Sequence, residues 1–249
     1  MTDGPPSAAS LLAGRSAILL DFDGTLVRSD AVHAAAFLAV LADHGVREFD
    51  YAEFAGHRTR EVFEEVFRRN GVIVTPEVLA AAIARKQALA RARLSVAPDL
   101  VDGAAVFLET AAAAGLRLAV ATSASREGVE GALRAAGLSA FIEIVVTGDD
   151  VPRAKPAPDV WIEALRRLQV EPASAIAFED SETGVVSARA AGLDVVVVVD
   201  TADPKIGPAA AGCPSATFAE LSKRLRAYGK DKESPGSNRF WESLGPRVS

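Results

Sequence analysis

Apolar positions follow two alternating rhythms along this 249-residue chain. Short aliphatic runs occupy 17–20, 116–121, 142–146, 175–178 and 194–199, each ending in polar or glycine residues. Runs of that length without apolar–polar alternation suit strands buried on both faces, as in a parallel sheet. Helical patterns lie between them, over 104–114, 126–136, 159–168 and 182–191. Strand–helix alternation predicts an α/β fold, an open parallel Rossmann-like sheet with right-handed crossovers.

One interval breaks the rhythm. About 95 residues separate the first strand from Leu116, too many for one crossover helix. Helical patterns over 30–44, 60–70 and 76–94, punctuated by Gly45, Gly71 and Pro98, predict a helical cap inserted after the first strand. The expected division is an α/β core over 1–28 and 99–228 and a cap over 29–98. Linkers near 27–29 and 96–102 would be the hinges. The stretch 229–249, rich in Gly, Ser, Pro and charge, reads as a flexible tail in which Phe240 and Trp241 offer docking groups.

Composition narrows the function. With 49% hydrophobic and 24% charged residues the chain is globular, not disordered or collagen-like. Lys plus Arg number 27 against 33 Asp plus Glu, a net charge of −6, which leaves no basic excess for nucleic acid. Cys213 is the sole cysteine, so an internal disulfide is impossible and a cysteine metal cluster is disfavoured. The opening MTDGPPSAASLLAGRS lacks the form of a secretory signal, and the apolar run 195–199 is far short of the roughly 20 residues that span a bilayer. The expectation is a cytoplasmic protein with no membrane partner; the oligomeric state stays open, with a monomer favoured.

Ligands of open parallel sheets bind beyond the carboxyl ends of the strands, and the most polar core segments all follow such ends. DFDGT supplies Asp21 and Asp23, TSAS supplies hydroxyls, GDDVPRAKP supplies Lys155, and FEDSETG supplies Glu179 and Asp180. If these converge, four carboxylates face one cleft, and each raises its neighbours' pKa. A divalent cation relieves that conflict, and an all-oxygen donor set points to Mg²⁺. Such a site suits phosphoryl transfer. Asp21 would attack phosphorus while the metal and Lys155 neutralise phosphate oxygens. Asp23 would protonate the leaving oxygen and then activate water.

At this point the sequence resembles the haloacid dehalogenase superfamily phosphohydrolases, in the branch of β-phosphoglucomutase and phosphoglycolate phosphatase. Four motifs match in order and spacing: DFDGTL at 21–26, AVATS at 119–123, GDDVPRAKPAPDVW at 148–161 and FEDSETGVVSARAAGL at 178–193. The resemblance covers roughly residues 16–200 and implies strand order 3-2-1-4-5. It implies Asp21 as nucleophile, Asp23 as general acid and base, and Thr122, Ser123 and Lys155 as phosphate ligands. Mg²⁺ would be held by Asp21, the Asp23 carbonyl and Asp180, with Glu179 direct or through water. Each motif has a plainer reading: Asp23-Gly24 as a turn, Thr122, Ser123 and Ser125 or Asp180 and Ser181 as helix caps, Lys155 as a solvated loop residue.

The cap is less legible. His33 stands where phosphomutase relatives place a hinge histidine touching the residue equivalent to Asp23; an ordinary helix histidine is the alternative. His57, Arg58 and Arg60 follow Gly56 in a stretch resembling the family's specificity loop, where one arginine would face substrate; a solvated helix start explains any single one equally well. Lys86, the only cap lysine, lies near a substrate-binding lysine of those relatives, but a solvated helix face is the preferred reading. Arg28 departs from the acidic residue usual in the family.

The leading function is a Mg²⁺-dependent phosphatase of a small phosphorylated metabolite, a sugar phosphate. The runner-up is a β-phosphoglucomutase-type phosphomutase. A 2-haloacid dehalogenase needs no acid at 23, and a phosphonoacetaldehyde hydrolase needs an early cap lysine, absent from 29–85. A non-catalytic binding module is disfavoured because no catalytic position is lost.

Overall fold

A computed structural model describes residues 12, 14–54, 57–201 and 212–232. Six parallel strands form one sheet: β1 (Ala17–Leu20), β2 (Arg117–Ala121), β3 (Ile144–Val146), β4 (Ala175–Glu179), β5 (Asp194–Val198) and β6 (Ser215–Ala216). Their order is β3-β2-β1-β4-β5-β6, the expected order with one edge strand added. That two-residue strand is too short to register as an apolar run.

Alternation along the central strand separates the two faces. Ile18 and Leu20 join a cluster with Phe107, Leu108, Val129 and Phe218, while Ala17 and Leu19 join Trp161, Leu165, Val185 and Ala188 on the other side. The first cluster is covered by helices α4 (Ala104–Ala113), α5 (Arg126–Ala135) and α8 (Phe218–Lys232). The second is covered by α6 (Asp159–Leu168) and α7 (Glu182–Ala190). Both faces are dry, which is why the strands read as unbroken apolar runs. Helix α8 runs on to Lys232, inside the span expected to be a flexible tail. Phe240 and Trp241, and Gly56 of the cap loop, lie outside the described residues.

Helices α1 (Asp30–Asp43), α2 (Thr59–Arg69) and α3 (Pro76–Leu94) form the insertion after β1. They share a separate apolar cluster that includes Phe37, Leu41, Phe63, Phe67 and Leu79. In α2 the buried residues are Val62, Phe63, Val66 and Phe67, the spacing of one helical stripe. Helix α3 opens on Thr75, whose hydroxyl accepts from the Val78 amide, with Pro76 in the first turn. It packs against α5 of the core. Gly131 permits that approach, because a Cβ there would come within 2.6 Å of Ser95 Oγ. No helix among the described residues is long and apolar enough to cross a membrane.

Register sets the functional end. Leu20 pairs with Phe178, and the Asp21 amide donates to the Phe178 carbonyl at 2.9 Å, so Asp21 and Glu179 leave the sheet side by side. Behind them Phe107 stacks on Phe178 at 5.2 Å and lies tilted against Phe218 at 5.0 Å. All three rings are fully buried. Phe107→Ala is expected to destabilise the fold by about 3–5 kcal/mol in urea unfolding. A loss below about 1 kcal/mol would show that these rings do not brace β4.

Candidate active site

The loop after β1 turns sharply. The Gly24 amide donates to the Val27 carbonyl at 2.8 Å, and Gly24 takes a φ of +80°. A Cβ on Gly24 would overlap the Asp180 carboxylate. Glycine is required there twice over, for its backbone conformation and for the close approach. Thr25 Oγ1 donates to Asp180 Oδ1 at 2.8 Å and fixes the second loop against the first.

Glu179 ends β4 with no exposed surface. Its Oε2 accepts from the Asp180 amide (2.8 Å), the Ser181 amide (2.8 Å) and Ser181 Oγ (3.0 Å). Its Oε1 accepts from Lys155 Nζ at 2.7 Å. Gly184 in the first turn of α7 makes room, since a Cβ there would overlap this carboxylate. Ser181 caps α7 by accepting from the Gly184 amide at 3.1 Å; Asp180 does not cap it.

Lys155 Nζ also donates to Asp21 Oδ1. The ammonium therefore lies between the two carboxylates, and the lysine is only 4% exposed. Burial works against its charge, but Asp21 and Glu179 outweigh burial and hold its pKa above the ordinary lysine value. Burial drives the Asp21 carboxyl up to about 8; Lys155 opposes that rise, and Glu179 adds to it. Burial, then Glu179 and Asp21, push Asp180 well above the usual carboxylate range. One oxygen from each of Asp21, Glu179 and Asp180 lies within 4.8 Å of the others. Raised carboxyl pKa values in a cluster of oxygen donors mark negative charge short of a counter-charge. The set fits a hard divalent cation.

Asp23 faces the insertion. His33 Nε2 lies 3.1 Å from Asp23 Oδ1, and Lys86 Nζ lies 3.0 Å from His33 Nδ1. A charged lysine has only donors, so its contact assigns the acceptor role to Nδ1 and the ring proton to Nε2, toward Asp23. Burial raises the Asp23 carboxyl, but the His33 hydrogen bond and the nearby Lys86 charge outweigh it and hold it at about 2. Lys86 corrects the expectation of a solvated face. It is 6% exposed, lies on the buried stripe with Ala82, Ala90 and Leu94, and stands 4.5 Å above the Phe37 ring. Burial lowers its pKa to about 8, against the opposing pull of Asp23.

Other sequence candidates are used differently. Thr122 is buried, and its Oγ1 accepts from the Ala124 amide at 3.1 Å. Ser123 Oγ is buried without a hydrogen-bond partner. Ser125 stands at the start of α5 but makes no capping bond. Arg58 donates to the Val151 and Pro152 carbonyls at 3.0 Å and to Gly148 at 3.3 Å, so its guanidinium ties insertion to core. Arg60 is exposed, 3.4 Å from Glu64, and His57 is exposed beside Phe54. Arg28 bonds Asp200 through two nitrogens, the Leu100 carbonyl at 2.9 Å and Asp102 at 3.0 Å, clasping the two linkers together.

All twelve sequence-predicted site residues line one cavity of about 580 Å³ between core and insertion. Tyr51, Gln87 and Arg91 line it too and escaped sequence reasoning. The signal for the last two was their place beside Lys86 on α3.

The family model described as haloacid dehalogenase-like hydrolase matches residues 18–198. Protein CbbY of Rhodobacter capsulatus is 37% identical over 193 residues, 73% of this chain and 84% of the relative. The fructose-1-phosphate phosphatase YqaB of Escherichia coli (strain K12) is 32% identical over 187 residues, 73% of this chain and 95% of the relative. A solved CbbY variant from Rhodobacter sphaeroides, in complex with xylulose-(1,5)bisphosphate, has a TM-score of 0.73 at 31% identity. It covers 83% of this chain and 96% of its own. The matched span runs from β1 to β5 and contains every polar strand ending described above; the chain belongs to the haloacid dehalogenase-like hydrolase family.

Proposed function

We propose that the chain is a Mg²⁺-dependent phosphatase of small phosphorylated metabolites, sugar phosphates in particular, acting through an aspartyl phosphate on Asp21. The observation that carries this reading is the buried Asp21–Lys155 pair flooring a cavity into which Asp23 projects from the same loop. Relatives named as phosphatases of phosphorylated sugars support the substrate class.

Asp21 would attack phosphorus in line as the bond to the leaving oxygen breaks. Lys155, Thr122 and the Ser123 amide would hold the phosphoryl oxygens. Asp21, Asp180 and the Asp23 carbonyl would hold Mg²⁺, which would supply positive charge to keep Asp21 ionised and screen the phosphate. Glu179 would hold Lys155 and reach the metal directly or through water. Asp23 gives the leaving oxygen a proton, then takes one from the water that attacks phosphorus and releases Asp21. The pairing with His33 keeps Asp23 ionised, as the second step requires. An arriving phosphate brings negative charge beside it and raises its proton affinity for the first.

A specific observation favours the mutase as second reading: the His33–Asp23 contact resembles the hinge of the phosphomutases. The Arg28 clasp, at a position usually acidic in the family, argues for a differently built hinge. Offered β-glucose 1-phosphate with a trace of glucose 1,6-bisphosphate, the enzyme is expected to release free phosphate. Rapid conversion to glucose 6-phosphate with little phosphate release would reverse the ranking.

Asp21→Asn is expected to lower Mg²⁺-dependent hydrolysis of p-nitrophenyl phosphate below about a thousandth. Near-normal turnover would remove the covalent intermediate.

Lys86 yields a stability test with a defined sign. Its pKa falls from 10.5 to about 8 on folding, so below about pH 8 both states are charged and the fold bears the full cost of burying it. Stability is regained as pH rises from about 8 to 10.5, where the unfolded chain binds the extra proton. Lys86→Met is therefore expected to raise unfolding free energy at pH 7 by on the order of 1–3 kcal/mol, less at pH 10, while kcat/KM falls. Urea unfolding at both pH values checks it, and a loss of stability at pH 7 would contradict it.

A further inference from the structure

The mechanism leaves one buried side chain beside the phosphate lysine without a role. Lys155 Nζ lies 4.6 Å from the centroid of the Trp161 ring. Trp161 is wholly buried, six residues further along and in the first turn of α6, within the apolar cluster that this helix covers on one face of the sheet. Its indole N–H is the only buried ring N–H without a hydrogen-bond partner among the described residues.

That unpaired N–H is informative. Burying a donor unsatisfied is unfavourable, so if the position needed only apolar bulk, phenylalanine would serve without the penalty. Tryptophan is larger than phenylalanine, and its face also attracts a cation more strongly, an attraction that burial away from water strengthens. The cation is present, desolvated, above the ring.

We propose that Trp161 is a positioning residue that holds the Lys155 ammonium in place through the face of its indole ring. The proposal rests on the reading of Lys155 as a phosphate ligand. An ammonium has three N–H donors. Asp21 and Glu179 take one each, and a phosphoryl oxygen takes the third. The carboxylate partners are not constant through the reaction. Asp21 loses its charge when its oxygen bonds to phosphorus and recovers it when that bond breaks. Over that interval Glu179 remains the sole carboxylate partner of Lys155. The indole face supplies attraction that does not change with the state of Asp21 and claims no N–H that the phosphate needs. Without it the flexible lysine stem would follow whichever anion is nearest, and the phosphate site would loosen.

The test weakens the ring's attraction without changing its shape. The chain contains two tryptophans, so in a Trp241→Phe background Trp161 is the only one. Mono-, di- and trifluorinated tryptophans are incorporated there, and inorganic phosphate is measured as a competitive inhibitor with Mg²⁺ present. The inhibition constant is expected to rise stepwise with fluorine count, about tenfold over the series. Melting temperatures should stay nearly level, because fluorine adds little volume. Trp161→Phe gives an independent check, with a rise of about threefold and kcat less affected than KM.

Lys155→Met separates the two ideas. Because this variant loses a phosphate ligand and with it turnover, phosphate binding is read there by isothermal titration calorimetry, and binding and its fluorine dependence should be lost together. A flat fluorine series, with binding still lost in Lys155→Met, would overturn the role of Trp161 and leave that of Lys155 standing. If Lys155→Met bound phosphate as tightly as the parent, both would fall.

Discussion

Three carboxylates and one ammonium meet where β1 and β4 leave the sheet, and the loops around them are built to make that meeting possible. The parallel register puts Asp21 beside Glu179, and the turn at Gly24 brings Asp180 within contact of the first loop. Such a cluster is unfavourable in isolation, because each buried negative charge raises the proton affinity of the next. The chain answers with one fixed cation, Lys155, and with amide and hydroxyl donors on the far oxygen of Glu179. Asp180 has one hydroxyl donor, Thr25, and keeps a raised pKa. The unbalanced remainder lies on Asp21 and Asp180, on the side where a metal and a phosphate would arrive.

The insertion completes the electrostatics from the other direction. Asp23 is the one carboxylate of the group whose charge is stabilised by a residue outside the sheet, and His33 supplies that stabilisation from the first turn of α1. Its own orientation depends on Lys86 of α3, so two helices of the insertion converge on one core oxygen. Arg58 adds a second tie, to the carbonyls of the loop that leads into Lys155. Movement of the insertion away from the core would break the His33 and Arg58 contacts together. Asp23 would lose the partner that keeps it ionised, and the loop preceding Lys155 would lose its brace. In the mechanism proposed above, substrate access and proton transfer would thereby be coupled through the same few side chains.

Much of this was legible from periodicity. The five longer strands and the seven helices from α1 to α7 lie within two residues of the apolar patterns, since buried parallel strands and one-sided helices leave distinct periods. What escaped has identifiable causes. The second strand at the sheet edge, β6, is too short to carry a period, whereas α8 had a readable start: Thr217 and Glu220 form the Thr-x-x-Glu box that opens it. Lys86 was misjudged because a lone lysine is ordinarily solvated, yet its spacing from Ala82 and Ala90 already put it on the buried stripe. Arg58 was beyond sequence reasoning, because its partners are backbone carbonyls of a loop about 90 residues away, and carbonyls leave no residue-type signal.

The position of the insertion in the chain accounts for how economically the site is assembled. It leaves the core only a few residues after Asp23, so its first helix begins within reach of the loop that carries Asp21 and Asp23, and its third returns beside the loop after β2. Both connections pass the same point, where Val27 bridges Leu100 and Arg28 gathers Asp200 from the end of β5 with Asp102 from the second linker. A charge at that crossing resists separation of the two linkers without filling the cavity. An acidic residue there would instead meet Asp99, Asp102 and Asp200 and repel them. Arg28 is therefore matched to the acids of this hinge, and replacing it with the acid usual in the family would require those partners to change with it.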